Sequence, residues 1–125
     1  MAGNQTSIQE LTMIPAATAS NANTYSAPIT VLGADSYTVQ FFITGATAKG
    51  DAEIQATLKD SPTLTNDDDW DDLTTATTFA AKGSQIWKSE GNGRVSYRKI
   101  RIKWTSGDAG NDGAIYAIAN VVTWG

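Results

Sequence analysis

Ser36-Tyr37-Thr38-Val39-Gln40-Phe41-Phe42-Ile43-Thr44 decides the fold class. In an extended chain Tyr37, Val39, Phe41 and Ile43 fall on one side and Thr38, Gln40, Phe42 and Thr44 on the other, a period of two that a helix cannot present. The stretch predicts a half-buried strand with Phe42 as its one large apolar residue facing outward. Turn residues follow from Gly45 to Asp51, and then Ala52, Ile54, Ala56 and Leu58 alternate with Glu53, Gln55, Thr57 and Lys59. The two stretches are expected to pair as a long hairpin.

Further strands are predicted downstream. Thr74 to Ala81 is Thr-rich, and Ser84 to Ser89 carries Ile86 and Trp87. Glu90-Gly91-Asn92-Gly93 can form a type I′ turn, so a second strand pair is expected to meet there. Val95 and Tyr97 are odd-numbered whereas Ile100, Ile102 and Trp104 are even, a change of phase that predicts a bulge or a corner between sheets near Arg98-Lys99. Ala114 to Trp124 is apolar on both sides and reads as a central strand covered on both faces. Residues 1–28 lack this patterning: Pro15 to Asn23 is small, polar and aperiodic, which predicts an extended N-terminal arm, mobile or laid on a neighbouring subunit. The expected fold is therefore all-β, a single antiparallel β-sandwich of jelly-roll type with about seven to nine strands over residues 29–125, preceded by that arm.

Composition agrees and narrows the chemistry. Seventeen Thr and many Val and Ile favour strands over helices. Histidine and cysteine are absent, which removes Ser-His-Asp and Cys-His nucleophiles, zinc sites of ordinary composition and disulfides. A carboxylate glycosidase is the enzyme route left, and Glu10, Glu53 and Glu90 occupy no evidently apolar setting of the kind that raises an acid's pKa. No enzyme activity and no cofactor are expected. A net charge of −4 gives no general attraction to nucleic acid. Met1 to Gln5 shows neither the basic nor the apolar region of a secretion leader and no apolar run is long enough to span a bilayer, so neither a leader nor a membrane partner is expected.

Two charge clusters and the tryptophans are the candidate sites. Asn66-Asp67-Asp68-Asp69-Trp70-Asp71-Asp72 places five carboxylates in six positions. Asp67, Asp69 and Asp71 alternate as calcium ligands can, but the loop lacks the Gly and terminal Glu of an EF-hand, and a solvated acidic loop is the plainer reading. Six of the nine positive charges lie between Lys88 and Lys103. Lys99, Arg101 and Lys103 share the strand face opposite Ile100, Ile102 and Trp104, which predicts a solvated basic face able to meet the acidic loop of a neighbouring copy. Trp70, Trp87 and Trp104 lie within apolar patterns and are expected in a core or interface. Trp124 is the best candidate for partial exposure and an interface role.

In the order of these features, the chain from Tyr37 to Trp124 resembles small β-sandwich virion proteins of tailed bacteriophages, the capsid decoration (cement) and tail-accessory kind. The matching residues are Tyr37 to Phe41, Ala52 to Ser61, Asp69-Trp70-Asp71-Asp72-Leu73 and Tyr97 to Gly107. The resemblance implies a non-enzymatic, multicopy and often trimeric protein of the virion, assembled in the host cytoplasm, whose partners are the major capsid protein or other virion subunits. The rival from another class is a carbohydrate-binding module of a tail or fibre, using exposed aromatic rings as stacking platforms.

Overall fold

The alternation quoted first becomes β4 (Ser36–Ile43), and the Ile-Arg-Ile-Lys-Trp alternation becomes β9 (Lys99–Ser106). They lie in different sheets. The computed structural model describes residues 6–89 and 93–124, in which ten strands form two antiparallel sheets. In the first, β1 (Thr6–Ala19), β10 (Ala114–Trp124), β4 and β8 (Gly83–Lys88) lie side by side in that order. In the second, β9 pairs with β5 (Gly50–Thr57) at the centre. The short β2 (Thr24–Tyr25) and β3 (Ile29–Thr30) flank β9, and β6 (Asp71–Asp72) and β7 (Thr77–Phe79) flank β5.

The sheets meet through one apolar cluster. Val39, Phe41 and Ile43 of β4 and Ile115, Ala117 and Ala119 of β10 face Ala52 and Ile54 of β5 and Ile100, Ile102 and Trp104 of β9. Phe41 stacks on Trp104 across the gap, with ring centroids 5.5 Å apart, and both rings are fully buried. Gly50 makes room for this ring: a Cβ there would lie 2.6 Å from the Trp104 indole. The indole Nε1 donates to Ser20 O at 3.0 Å, so the polar edge of the ring is satisfied inside the core.

Several expectations are revised. The stretches 36–44 and 52–59 do not form a hairpin. β4 bonds to β10 and β8, whereas β5 bonds to β9, β6 and β7, so residues 44–49 cross from one sheet to the other. Alternation says which side chains face inward but not which strand lies alongside. The pairing expected across residues 90–93 fails likewise, since β8 and β9 belong to different sheets, and residues 90–92 of the expected turn lie outside the described residues. The change of phase near Arg98-Lys99 marks the corner where β9 begins, after Val95 and Tyr97 have crossed between sheets.

The expected arm is structured where it is described. Residues 6–19 run along β10 from Thr6 opposite Trp124 to Ala19 opposite Ala114, with Met13 and Ile14 in the core. The aperiodic Pro15-Ala16-Ala17 is a bulge between the registers of Ile14 and Thr18, where Ala17 takes a left-handed φ of 69°. The bulge breaks the period of two, which conceals the strand from a pattern reading. β10, in turn, is covered on one face only: Ile115, Ala117, Ala119 and Val121 are buried, while Ile118 and Asn120 are exposed.

Both outer rows of the second sheet are split, and a hydroxyl fills each gap. Between β2 and β3, Ser26 Oγ accepts from Ile102 N at 2.8 Å, while Ser26 N donates to Ile102 O. Between β6 and β7, Thr74 Oγ1 accepts from Ile54 N at 3.0 Å. Ile102 N is buried, so Ser26→Ala leaves it without a partner and should lower stability by about 1–2 kcal/mol in urea denaturation. Thr74→Val should cost less, because Thr74 is only half-buried and water can reach the gap. Equal and negligible losses in both variants would show that the hydroxyls do not stand in for the missing ladder bonds.

Candidate functional site

The basic face predicted on β9 is not a free surface at its centre. Arg101 is fully buried. The segment between β5 and β6 folds over the outer face of β5 and β9 and presses the Trp70 ring onto one side of the guanidinium, with Tyr25 of β2 on the other. The distances from Arg101 Cζ to the ring centroids are 4.4 and 4.0 Å. Arg101 donates to Gln55 Oε1 at 2.9 Å, Leu64 O at 3.3 Å, Asn66 O at 2.6 Å and Asp67 Oδ1 at 3.0 Å. Burial pulls its pKa down and the Asp67 carboxylate opposes that shift. A planar fork that also stacks on aromatic rings suits this position, and a lysine could not replace it.

The acidic loop is therefore joined to the basic strand within one chain. Asp67 accepts from Lys103 Nζ at 2.6 Å as well as from Arg101, and Gln55 Nε2 donates to both Asp67 and Asp72. Asp69 is paired with Lys59 and accepts from Thr63 N at 2.7 Å. Trp70 is pinned by its Nε1 donating to Thr63 O. Lys103 foremost holds Asp67 below the usual carboxylate range, and Lys59 with the Thr63 amide holds Asp69 down to about 2. Glu53 is displaced upward, first by burial and then by the charge of Asp72, with Lys103 partly offsetting both.

The remaining sequence candidates are dispersed. Asp71 is exposed on β6 opposite Ala56, and Lys99 is half-buried opposite Thr57. Asp67 and Asp69 thus turn to cations of this chain, and among the described residues no three acidic groups converge as metal ligands would. The solvated, intermolecular role expected of Arg101 is corrected by its enclosure. Trp70, Trp87 and Trp104 are 5, 8 and 0% exposed, too little for stacking platforms. The exposure expected of the Trp124 side chain lies outside the described residues.

Two surface features escaped the pattern reading. A cleft of about 340 Å³ opens between the sheets at Tyr37, Leu73, Trp87 and Tyr97. The Tyr37 and Tyr97 hydroxyls are 2.6 Å apart, and burial followed by this hydrogen bond raises the Tyr37 pKa. The second feature is a sheet face. Among the described residues the outer face of the four-stranded sheet is uncovered and partly apolar, with Phe42 and Tyr116 stacked at 4.5 Å and 13° and Ile8, Ile86 and Ile118 exposed at 67, 48 and 36%. Phe42 was legible as an outward ring, but its neighbours on β1 and β10 were hidden behind the arm and double-coverage readings.

No protein-family model and no curated protein sequence matches the chain. Among solved structures, the crystal structure of the SPBc2 prophage-derived protein YomS matches 98% of this chain and 99% of its own length, with a TM-score of 0.61 and 15% identity. At that identity the likeness is one of fold.

Replacing Arg101 tests the buried cation directly. Arg101→Met removes a donor from Gln55, two carbonyls and Asp67 and should cost about 2–4 kcal/mol in denaturant unfolding, and Arg101→Lys should recover only part of it. Acid tests the loop. Asp67 and Asp69 have folded pKa values below their unfolded ones, so their stabilisation is complete above about pH 4 and is lost as pH falls toward about 2. Ionisation of Glu53 acts in the opposite sense, withdrawing stability as pH rises past the usual glutamate value. The emission of Trp70 should shift to the red across the acid window, and Asp69→Asn should flatten the change; an unchanged titration would mean that the loop is held by other contacts.

Proposed function

We propose that this chain is a non-enzymatic structural protein of a tailed bacteriophage, a capsid decoration protein that acts by association in multiple copies. The observation that carries the reading is the uncovered apolar face of the four-stranded sheet. Its stacked Phe42–Tyr116 pair and exposed isoleucines put aromatic and apolar side chains on one outer face, as protein contacts do. The charged loop and strand, by contrast, are largely used within the chain. Carboxylates paired to lysine and arginine are poorly placed for acid–base work, which supports a role in binding.

The topology supports the same reading. Counting β2 with β3 and β6 with β7, each sheet has four strands, β1-β10-β4-β8 and β2/3-β9-β5-β6/7, and successive strands mostly alternate between sheets. That order supports reading the fold as a jelly roll, one used in viral capsid proteins. The prophage origin of the protein of similar fold is consistent with it.

The test is sedimentation of purified protein with undecorated capsids of the phage that encodes it. Saturable binding is expected, together with shells that resist heat better than bare ones. Failure to bind the shells, with retention on a glycan array instead, would replace this function with the carbohydrate-binding one.

A further inference from the structure

We propose that the outer face of the four-stranded sheet pairs with the same face of a second copy, about a two-fold axis running parallel to the strands between β10 and β4. The inference rests on the reading of that face as a contact surface and adds its partner and symmetry.

Register carries the argument. Glu10, Asn120, Thr38 and Lys88 are successive cross-strand partners, so they form one row from the β1 rim to the β8 rim, with a negative charge at one end and a positive charge at the other. Both charged side chains are exposed, and among the described residues neither makes an ion pair within the chain. Rotation about an axis along the strands exchanges the two rims while keeping each row level. Glu10 of each copy then lies over Lys88 of the other, giving two equivalent ion pairs. A two-fold axis perpendicular to the strands through the same row would set Glu10 on Glu10 and Lys88 on Lys88, which like-charge repulsion disfavours.

The apolar residues obey the same operation. Tyr116 and Phe42 are neighbours in another row, so the axis brings the stacked pair of one copy onto the stacked pair of the other as four rings. Facing sheets cross at about 30° and strands lie about 4.8 Å apart. At the rims, about 7 Å from the axis, that crossing displaces a row by about 4 Å, within the reach of a lysine stem. The contact is isologous and closes at two copies, which differs from the three-fold association that the phage resemblance implied.

The test is light scattering on the full chain and on two charge reversals at these exposed positions. The wild type should have the mass of two copies, and Glu10→Lys and Lys88→Glu should each weaken pairing by roughly tenfold or more. Mixing the two variants in equal amounts should restore pairing, because one then carries two positive charges where the other carries two negative ones. A wild-type mass of one or three copies, single variants that pair as well as wild type, or a mixture that stays unpaired would each overturn the proposal. Shell binding by the same samples separates the two readings: unpaired variants that bind capsids normally leave the function standing, and paired protein that ignores capsids removes the function while leaving the pairing.

Discussion

The buried guanidinium of Arg101 is the constraint around which one side of the molecule is arranged. A charge with no solvent contact must have every direction filled. Here two rings close its faces, while Gln55, Asp67 and two carbonyls accept its hydrogen bonds. Because the carbonyls belong to Leu64 and Asn66, satisfying the charge also fixes the path of the polar segment over the sheet. Lys103 and Lys59 then neutralise the carboxylates that the segment brings. Isolated burial of such an ion would cost several kcal/mol, so the loop and the cation are stable only together.

That arrangement makes the two broad surfaces of the protein unequal. The outer side of the six-stranded sheet carries its own cover, with Gln55, Thr57 and Arg101 buried beneath it. The outer side of the four-stranded sheet has none among the described residues. Its rings and isoleucines face solvent, and its charges sit at the two rims. Segregating satisfied charge to one sheet and unsatisfied apolar area to the other is the physical basis of the association argued above.

The faces of β4 and β9 were legible because alternation is a local property of the chain. Tyr37, Val39, Phe41, Ile43, Ile100, Ile102 and Trp104 all point inward as their spacing requires. Partner strands were not legible, since period two is the same whether residues 44–49 make a hairpin or cross between sheets. Arg101 was misread for a related reason. Its position on the polar side of β9 is correct, but nothing near it in sequence reveals that Tyr25 and Trp70, 76 and 31 positions away, close over it. An arginine between two lysines was the available hint, because a fork-shaped donor is favoured where bidentate and stacking contacts coincide.

The broken rows of the six-stranded sheet have a consequence for crowded conditions. An intact rim exposes a continuous line of unpaired amides and carbonyls on which a foreign strand can be laid, and such templating propagates into fibres. Here β2, β3, β6 and β7 are two or three residues long, and the long rim of the other sheet is interrupted at Pro15–Ala17. Both rims of the six-stranded sheet thus lack a run on which a strand could grow. Copies held at high local density can therefore meet broadside while the six-stranded sheet resists endless lateral polymerisation.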